Sequence, residues 1–188
     1  MRNFFKVAEG IDVLPLAHAL QRRPEFWGAN PIRTRFPGSP HAEVDDVLLK
    51  FEAIDAEPDD PDLDAKAEAA ERVFWPAWHA FPQVRSLVGP LMLRVGAYEL
   101  TRVILTRLRP GGQIAPHADT RGKYANLPDI ARYHLVVQGL PGSLFHCGDE
   151  TVSMSTGEVW SFDAHQVHAV VNNSVDDRLH LLADMRLM

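Results

Sequence analysis

A mainly β chain with an α-helical N-terminal half is what the sequence predicts, on three observations. Strand-like runs at 98–108, 132–137, 143–146, 151–154, 159–162, 167–171 and 179–185 follow one another at short intervals. Gly, Pro, Asn and Asp separate them, with no helix-length insert of the kind a parallel βαβ unit needs. The first ninety-odd residues instead carry helix-forming and irregular stretches. Together these point to a double-stranded β-helix (jelly roll, cupin-like) with a helical front half packed on it.

In chain order, residues 11–21 read as an amphipathic piece. A Pro- and Gly-punctuated segment with Trp27, Arg33, Arg35 and His41 follows, then a short strand at 47–51. Residues 55–64 hold six acidic residues and two prolines, which predicts a solvated loop. Ala65, Lys66, Ala67, Glu68, Ala69 and Ala70 predict a helix over 62–74. A second helix is expected over 83–95, kinked or split at Gly89-Pro90. At 188 residues the chain suits one domain, with 1–97 as a supporting and substrate-facing part and 98–188 as the β core.

The formal charge of −6 argues against nonspecific binding to nucleic acid or to a membrane surface, both of which favour a basic protein. No apolar stretch approaches bilayer length. A lone cysteine, Cys147, and a start (MRNFFKVAEG) unlike a secretory leader lead to the expectation of a reducing, cytoplasmic setting. Oligomeric state is not legible.

The chemistry concentrates after the Pro110-Gly111-Gly112 turn. His117 and Asp119 are two residues apart, so on an extended segment they share a face. His168, within a later strand-like run, supplies a second imidazole and completes a two-histidine, one-carboxylate set that suits iron(II) and leaves coordination positions open. His165 competes for that place but sits in a turn, where the position is less rigid. Arg178 follows a polar turn and opens a return strand expected to lie beside the one bearing His168. Facing inward, its guanidinium needs an anion such as a dicarboxylate; facing outward, it would pair with Asp176 or Asp177. Trp160 reads as core, and Trp75 and Trp78 as packing of the helical layer. His146 and His180 read as buried, hydrogen-bonded residues. Cys147 and His146 are adjacent on a strand and so face opposite sides.

The blocks Thr106-Arg107-Leu108-Arg109-Pro110-Gly111-Gly112-Gln113-Ile114-Ala115-Pro116-His117, Arg132-Tyr133-His134-Leu135, Phe162-Asp163 with His168, and 178–184 resemble the aspartyl/asparaginyl β-hydroxylase family. The resemblance covers roughly residues 100–186. It implies Fe(2+), 2-oxoglutarate and O2 as cofactors, and hydroxylation of an sp3 carbon of an amino acid, free or peptide-borne, with succinate and CO2 released. It implies His117 and His168 as iron ligands, Arg178 and the Thr106 hydroxyl on the distal carboxylate of 2-oxoglutarate, and Arg132 and His134 near its metal-chelating end. The family's protein-modifying member has glycine where this chain has Asp119. The carboxylate matches relatives acting on free amino acids, and it argues against halogenation. Residues 120–130 are a candidate lid. Arg35, Trp27, His41 and Arg33 are candidate substrate contacts from the front segment. Two other readings stay open: a cupin-type metal dioxygenase or isomerase that ignores 2-oxoglutarate, and a noncatalytic metal- or ligand-binding barrel.

Overall fold

The structure is a computed structural model that describes residues 1–119 and 129–188. Most of the candidate lid therefore lies outside the described residues. In order, the elements are β1 (Phe4–Ala8), α1 (Leu14–Gln21), a 3-10 turn (Pro24–Phe26), β2 (Val44–Glu52), α2 (Leu63–Ala69), β3 (Arg72–Phe74), α3 (Pro76–Ala80) and α4 (Gln83–Val95). Then come β4 (Ala97–Leu108), β5 (Gln113–His117), β6 (Ile130–Gln138), β7 (Ser143–Cys147), β8 (Glu150–Val152), β9 (Val159–Phe162), β10 (His168–Asn172) and β11 (Arg178–Leu187). Among the described residues, no helix is long and apolar enough to cross a membrane.

The strands form two antiparallel sheets. Seven lie in the order β1-β9-β6-β11-β4-β2-β3, and four in the order β5-β10-β7-β8. This is the mainly β, double-stranded β-helix arrangement that the sequence predicts. The front half contributes more than helices, since β1, β2 and β3 all join the larger sheet.

Side-chain alternation gives the larger sheet two different faces. Val103 and Leu105 of β4, and Leu181, Ala183 and Met185 of β11, pack against Leu16, Leu20, Val84 and Val88 of α1 and α4. The intervening positions of β11 are Arg178, His180, Leu182 and Asp184, which face the smaller sheet across the barrel. That interior is apolar at one end, where Phe4, Val136, Phe145, Trp160, Phe162 and Val170 cluster, and charged at the other. Cys147 is buried in the same cluster, and Trp160 belongs to it as expected.

Two local readings change. Residues 62–74 do not form one helix: α2 ends at Ala69, and Arg72–Phe74 pair with Lys50–Glu52 as an edge strand. Helix propensity is a weak prior, and here an Arg72–Glu52 ion pair (2.9 Å) and strand pairing override it. Trp75 is held extended before Pro76, which then opens α3 at the position proline tolerates best. The second helix covers the expected 83–95 as α4, unsplit at Pro90, and stops at Gly96, whose φ of 70° gives the left-handed cap. Finally, β11 pairs with β4 and β6, not with β10. Arg178 thus reaches the site from the opposite sheet.

The Pro-Gly-Gly turn sets the site's position. Gly111, at φ 80°, turns the chain from β4 in the large sheet into β5 in the small one. The Gly111 N–H donates to the Asn172 carbonyl (2.7 Å) and the Asn172 N–H to the Gly112 carbonyl (2.9 Å), which docks the turn on the end of β10. The buried Asn172 amide also donates to Leu108 O (2.8 Å), tying the two sheets together.

Candidate metal centre and its two adjoining clefts

His117 ends β5 and His168 opens β10, and the two are direct partners in the antiparallel ladder. Their rings lie 4.2 Å apart, centroid to centroid. Asp119 follows just past β5, its N–H bonded to Ala164 O (2.9 Å). Potential ligand atoms of His117, Asp119 and His168 lie within 4.8 Å of one another. Each imidazole has its Nδ1 against a backbone carbonyl, Ala115 O at 2.8 Å for His117 and Gln166 O at 2.9 Å for His168. A carbonyl only accepts, so Nδ1 carries the proton and Nε2 keeps its lone pair. Two oriented imidazoles and one carboxylate are the donor set expected for iron(II) with open positions. Burial lowers the His168 pKa, which favours the neutral, ligating form. Burial alone would raise that of Asp119, but the Arg132 guanidinium holds the carboxyl below its usual range. His165 stays on the surface beside Asp163, at 3.4 Å.

A cleft of about 380 Å³ opens against His117 and His168, and Thr106, His134, Phe145, Phe162 and Arg178 help to line it. Arg178 is only 4% exposed, and among the described residues no carboxylate lies within ion-pair distance of it. Pairing with Asp176 or Asp177 is therefore absent. Its Nη2 donates to His180 Nδ1 (3.1 Å), its guanidinium sits 5.8 Å from the Phe145 ring centre, and burial pushes its pKa down to about 9. Arginine can only donate, so His180 Nδ1 must be a bare acceptor. The His134 Nδ1, 3.3 Å from the same atom, is then the protonated one. That leaves His134 Nε2 as a buried acceptor without a partner among the described residues, on a residue that lines the cleft. Thr106 is buried at the same level as His180, its direct partner in the sheet.

Burial, with the nearby Arg178 charge, holds both His134 and His180 well below the ordinary histidine pKa. The unfolded chain takes up those protons near pH 6.5 while the folded protein does not. Stability is therefore flat above that pH and falls below it, by up to about 1.4 kcal/mol per pH unit for each ring. Urea unfolding between pH 7 and 5.5 is expected to show this slope; a flat profile would exclude two neutral buried rings.

A second cleft, of about 260 Å³, adjoins the first through Arg33 and Leu182, and Arg102, Ile104, Arg132 and Asp184 line the rest of it. Arg132 lies in this second cleft, where Nε and Nη2 bond Asp184 (2.7 and 3.0 Å) and Nη1 donates to Asp119. Two carboxylates engage it, and through it Asp184 is linked to Asp119. Sequence reasoning missed Asp184 as a site residue, although the alternation Arg178, His180, Leu182, Asp184 along β11 was available as a signal. Asp184→Asn is expected to weaken metal binding by about 10- to 100-fold, read by Mn(II) or Co(II) titration. Unchanged affinity would show Arg132 to be positioned without it.

Of the four front-segment candidates, two reach the site. His41 packs edge-on to His117 (4.8 Å) with its Nδ1 buried and unpartnered among the described residues, and Arg33 is clamped by Asp46 at 2.5 and 2.9 Å. Arg35 and Trp27 do not. Arg35 is exposed and caps Ala42 O (3.0 Å), while Trp27 lies under Arg107 (4.9 Å) and packs on the helical-face core.

A family model described as aspartyl/asparaginyl beta-hydroxylase matches residues 68–187. The chain belongs to that family. Among curated relatives, L-proline cis-3-hydroxylase 1 of a Streptomyces species is 33% identical over 88 residues, which is 46% of this chain and 30% of that enzyme. The match thus spans under a third of the relative's length. Two solved structures share the fold: a Pseudomonas putida prolyl-4-hydroxylase and the α-ketoglutarate-dependent carbocyclase of nogalamycin biosynthesis. The first has a TM-score of 0.58 at 18% identity, over 100% of this chain and 94% of its own. The second has 0.59 at 14% identity, over 99% and 80%.

Proposed function

We propose that this family member is a 2-oxoglutarate-dependent dioxygenase that hydroxylates an sp3 carbon of an amino acid, free or peptide-borne. One observation carries the reading. A buried arginine with no carboxylate in ion-pair distance among the described residues, Arg178, lines the same cleft as two imidazoles whose Nε2 atoms are free to bind a metal. A buried guanidinium is costly unless an anion meets it, and 2-oxoglutarate would bring one to Arg178 while its other end reaches the metal. The named activity of the Streptomyces relative, a proline hydroxylase, supports an amino-acid substrate.

In this reading His117, Asp119 and His168 would hold Fe(2+). The bound iron, 2-oxoglutarate and O2 supply the oxidising chemistry, with succinate and CO2 as co-products. The chain's own groups bind and orient. Arg178 and the Thr106 hydroxyl take the distal carboxylate, and the rings of Phe145 and Phe162 exclude water. His134 offers its bare Nε2 to a donor on the bound ligand or a water. No side chain is needed as a general base. The alternative of a barrel enzyme that ignores 2-oxoglutarate needs Arg178 to be a structural ion pair, and no carboxylate among the described residues is placed for that. We further read 1–188 as one oxygenase unit, since β1, β2 and β3 from the front half complete the larger sheet. The test is oxygen-dependent succinate release from 2-oxoglutarate by the iron-loaded chain, stimulated by an amino acid or peptide that gains one oxygen atom. Metal binding without succinate would return the noncatalytic reading.

A further inference from the structure

Two side chains of the front segment, Arg33 and His41, line the cleft of His117 and His168 without a task in holding Fe(2+) or 2-oxoglutarate. Hydrogen bonds clip the chain around them into one unit. Ser39 Oγ donates to Arg33 O (3.1 Å) and accepts the His41 N–H (3.2 Å). Between Ser39 and His41, the Pro40 carbonyl accepts the Ala115 N–H of β5 (2.9 Å). Arg33 and His41 are thus tied to each other and to the strand that ends in His117.

Each side chain has one end fixed and one end open. Asp46 is fully buried on the interior face of the larger sheet, opposite Thr106, and takes Arg33 Nε and Nη2 at 2.5 and 2.9 Å. A planar guanidinium gripped along that edge turns its third nitrogen, Nη1, away from the carboxylate. Nη1 makes no hydrogen bond to the described residues, and the Arg33 side chain keeps 15% exposure. In His41 the closed end is Nδ1, buried without a partner among the described residues. A proton there would have no acceptor, so the ring carries it on Nε2, the nitrogen left to face the cleft. An entering molecule therefore meets two N–H donors, with Ile114 and Leu182 as apolar wall. Asp46 already balances the Arg33 charge, so the donors suit a carboxyl or a carbonyl oxygen alike.

We propose that Arg33 Nη1 and His41 Nε2 bind the main-chain carboxyl or carbonyl oxygen of the amino-acid substrate. Residues 33–41 are then the substrate-recognition segment, and Asp46 is a positioning residue that aims Arg33. The inference rests on the hydroxylase reading and deepens it. That oxygen is the one acceptor that every amino acid carries, free or peptide-borne, so holding it fixes the substrate whatever its side chain. A purely structural Arg33–Asp46 pair, pinning the front segment to β2, needs only Nε and Nη2 and makes no demand on the substrate.

The test uses the full chain loaded anaerobically with Fe(II) and 2-oxoglutarate. The probes are the free L-amino acids including proline, their N-acetyl amides, and the amines that lack the carboxyl group (pyrrolidine for proline). Binding is read as a shift of the iron–2-oxoglutarate absorption band, and succinate release is read once oxygen is admitted. At least one acid or N-acetyl amide is expected to shift the band saturably, and the matching amine to need a roughly 10- to 100-fold higher concentration. Which of acid and amide binds better shows whether the oxygen comes from a free or a peptide-borne residue. Arg33→Lys keeps a cation on Asp46 but lacks the second arm, and His41→Phe keeps a ring against His117 but has no donor. These should weaken binding of the acid or amide roughly 10- to 100-fold and about 2- to 10-fold, with the amine, Mn(II) and 2-oxoglutarate titrations held within about twofold. Unchanged affinity in either variant, or equal losses for the acid and its amine, overturns the proposal. A panel that shifts nothing overturns it as well, provided the band itself forms; a missing band brings down the hydroxylase reading instead. Should one variant not fold, the other and the comparison of acid with amine still decide.

Discussion

Replacing Arg178 with leucine is expected to move two properties in opposite directions. Affinity for 2-oxoglutarate should fall by about 2–5 kcal/mol, roughly 30- to several-thousand-fold, because a desolvated charge partner is lost. Stability of the metal-free protein should rise, since among the described residues no carboxylate lies within ion-pair distance of the buried guanidinium and leucine fills similar apolar space against Phe145. Calorimetric titration with 2-oxoglutarate and urea unfolding measure the two effects. A structural ion pair would give the reverse: loss of stability with little change in 2-oxoglutarate binding.

The second large effect separates two histidines three residues apart. His168→Ala removes an imidazole whose Nδ1 is anchored on Gln166 O and whose Nε2 is free for a metal. Metal affinity is expected to drop by more than about 100-fold, exceeding the usual loss for a residue that only orients a ligand. His165→Ala, at an exposed turn beside Asp163, should leave it within about twofold, in keeping with the small effect of most surface changes. Mn(II) titration monitored by electron paramagnetic resonance checks both. Equal losses would displace His168 from the site.

What could be read from the sequence was mostly local. A His-x-Asp pair after a Pro-Gly-Gly turn needs only strand geometry to place both side chains on one face, and the structure brings those two residues together with His168. The strand runs from 98 onward were legible because alternation and turn residues act over a few positions. Pairing between distant strands was not. Nothing near Phe4 announces that β1 will pair with β9, more than 150 residues later, and nothing near Arg178 says that its strand joins β4 and β6 instead of β10. Residues 72–74 were misread because the preceding alanines carry strong helix propensity while Glu52, the partner of Arg72, lies twenty residues back. The same blindness hid the Arg132–Asp184 pair. Family resemblance could nominate Arg132, but only the folded sheet shows which carboxylates hold it.

The proposal stands or falls on His117 and His168, the two candidate metal-binding imidazoles, lining one cleft with the buried Arg178, proposed to take a dicarboxylate. Its most direct test is to add Fe(II) and 2-oxoglutarate to the folded protein without oxygen and record the visible spectrum. A weak metal-to-ligand charge-transfer band is expected, saturating with 2-oxoglutarate in the unmodified chain and shifted to far higher concentration in Arg178→Leu. A folded, metal-loaded protein that shows no such band at any 2-oxoglutarate concentration would contradict the account.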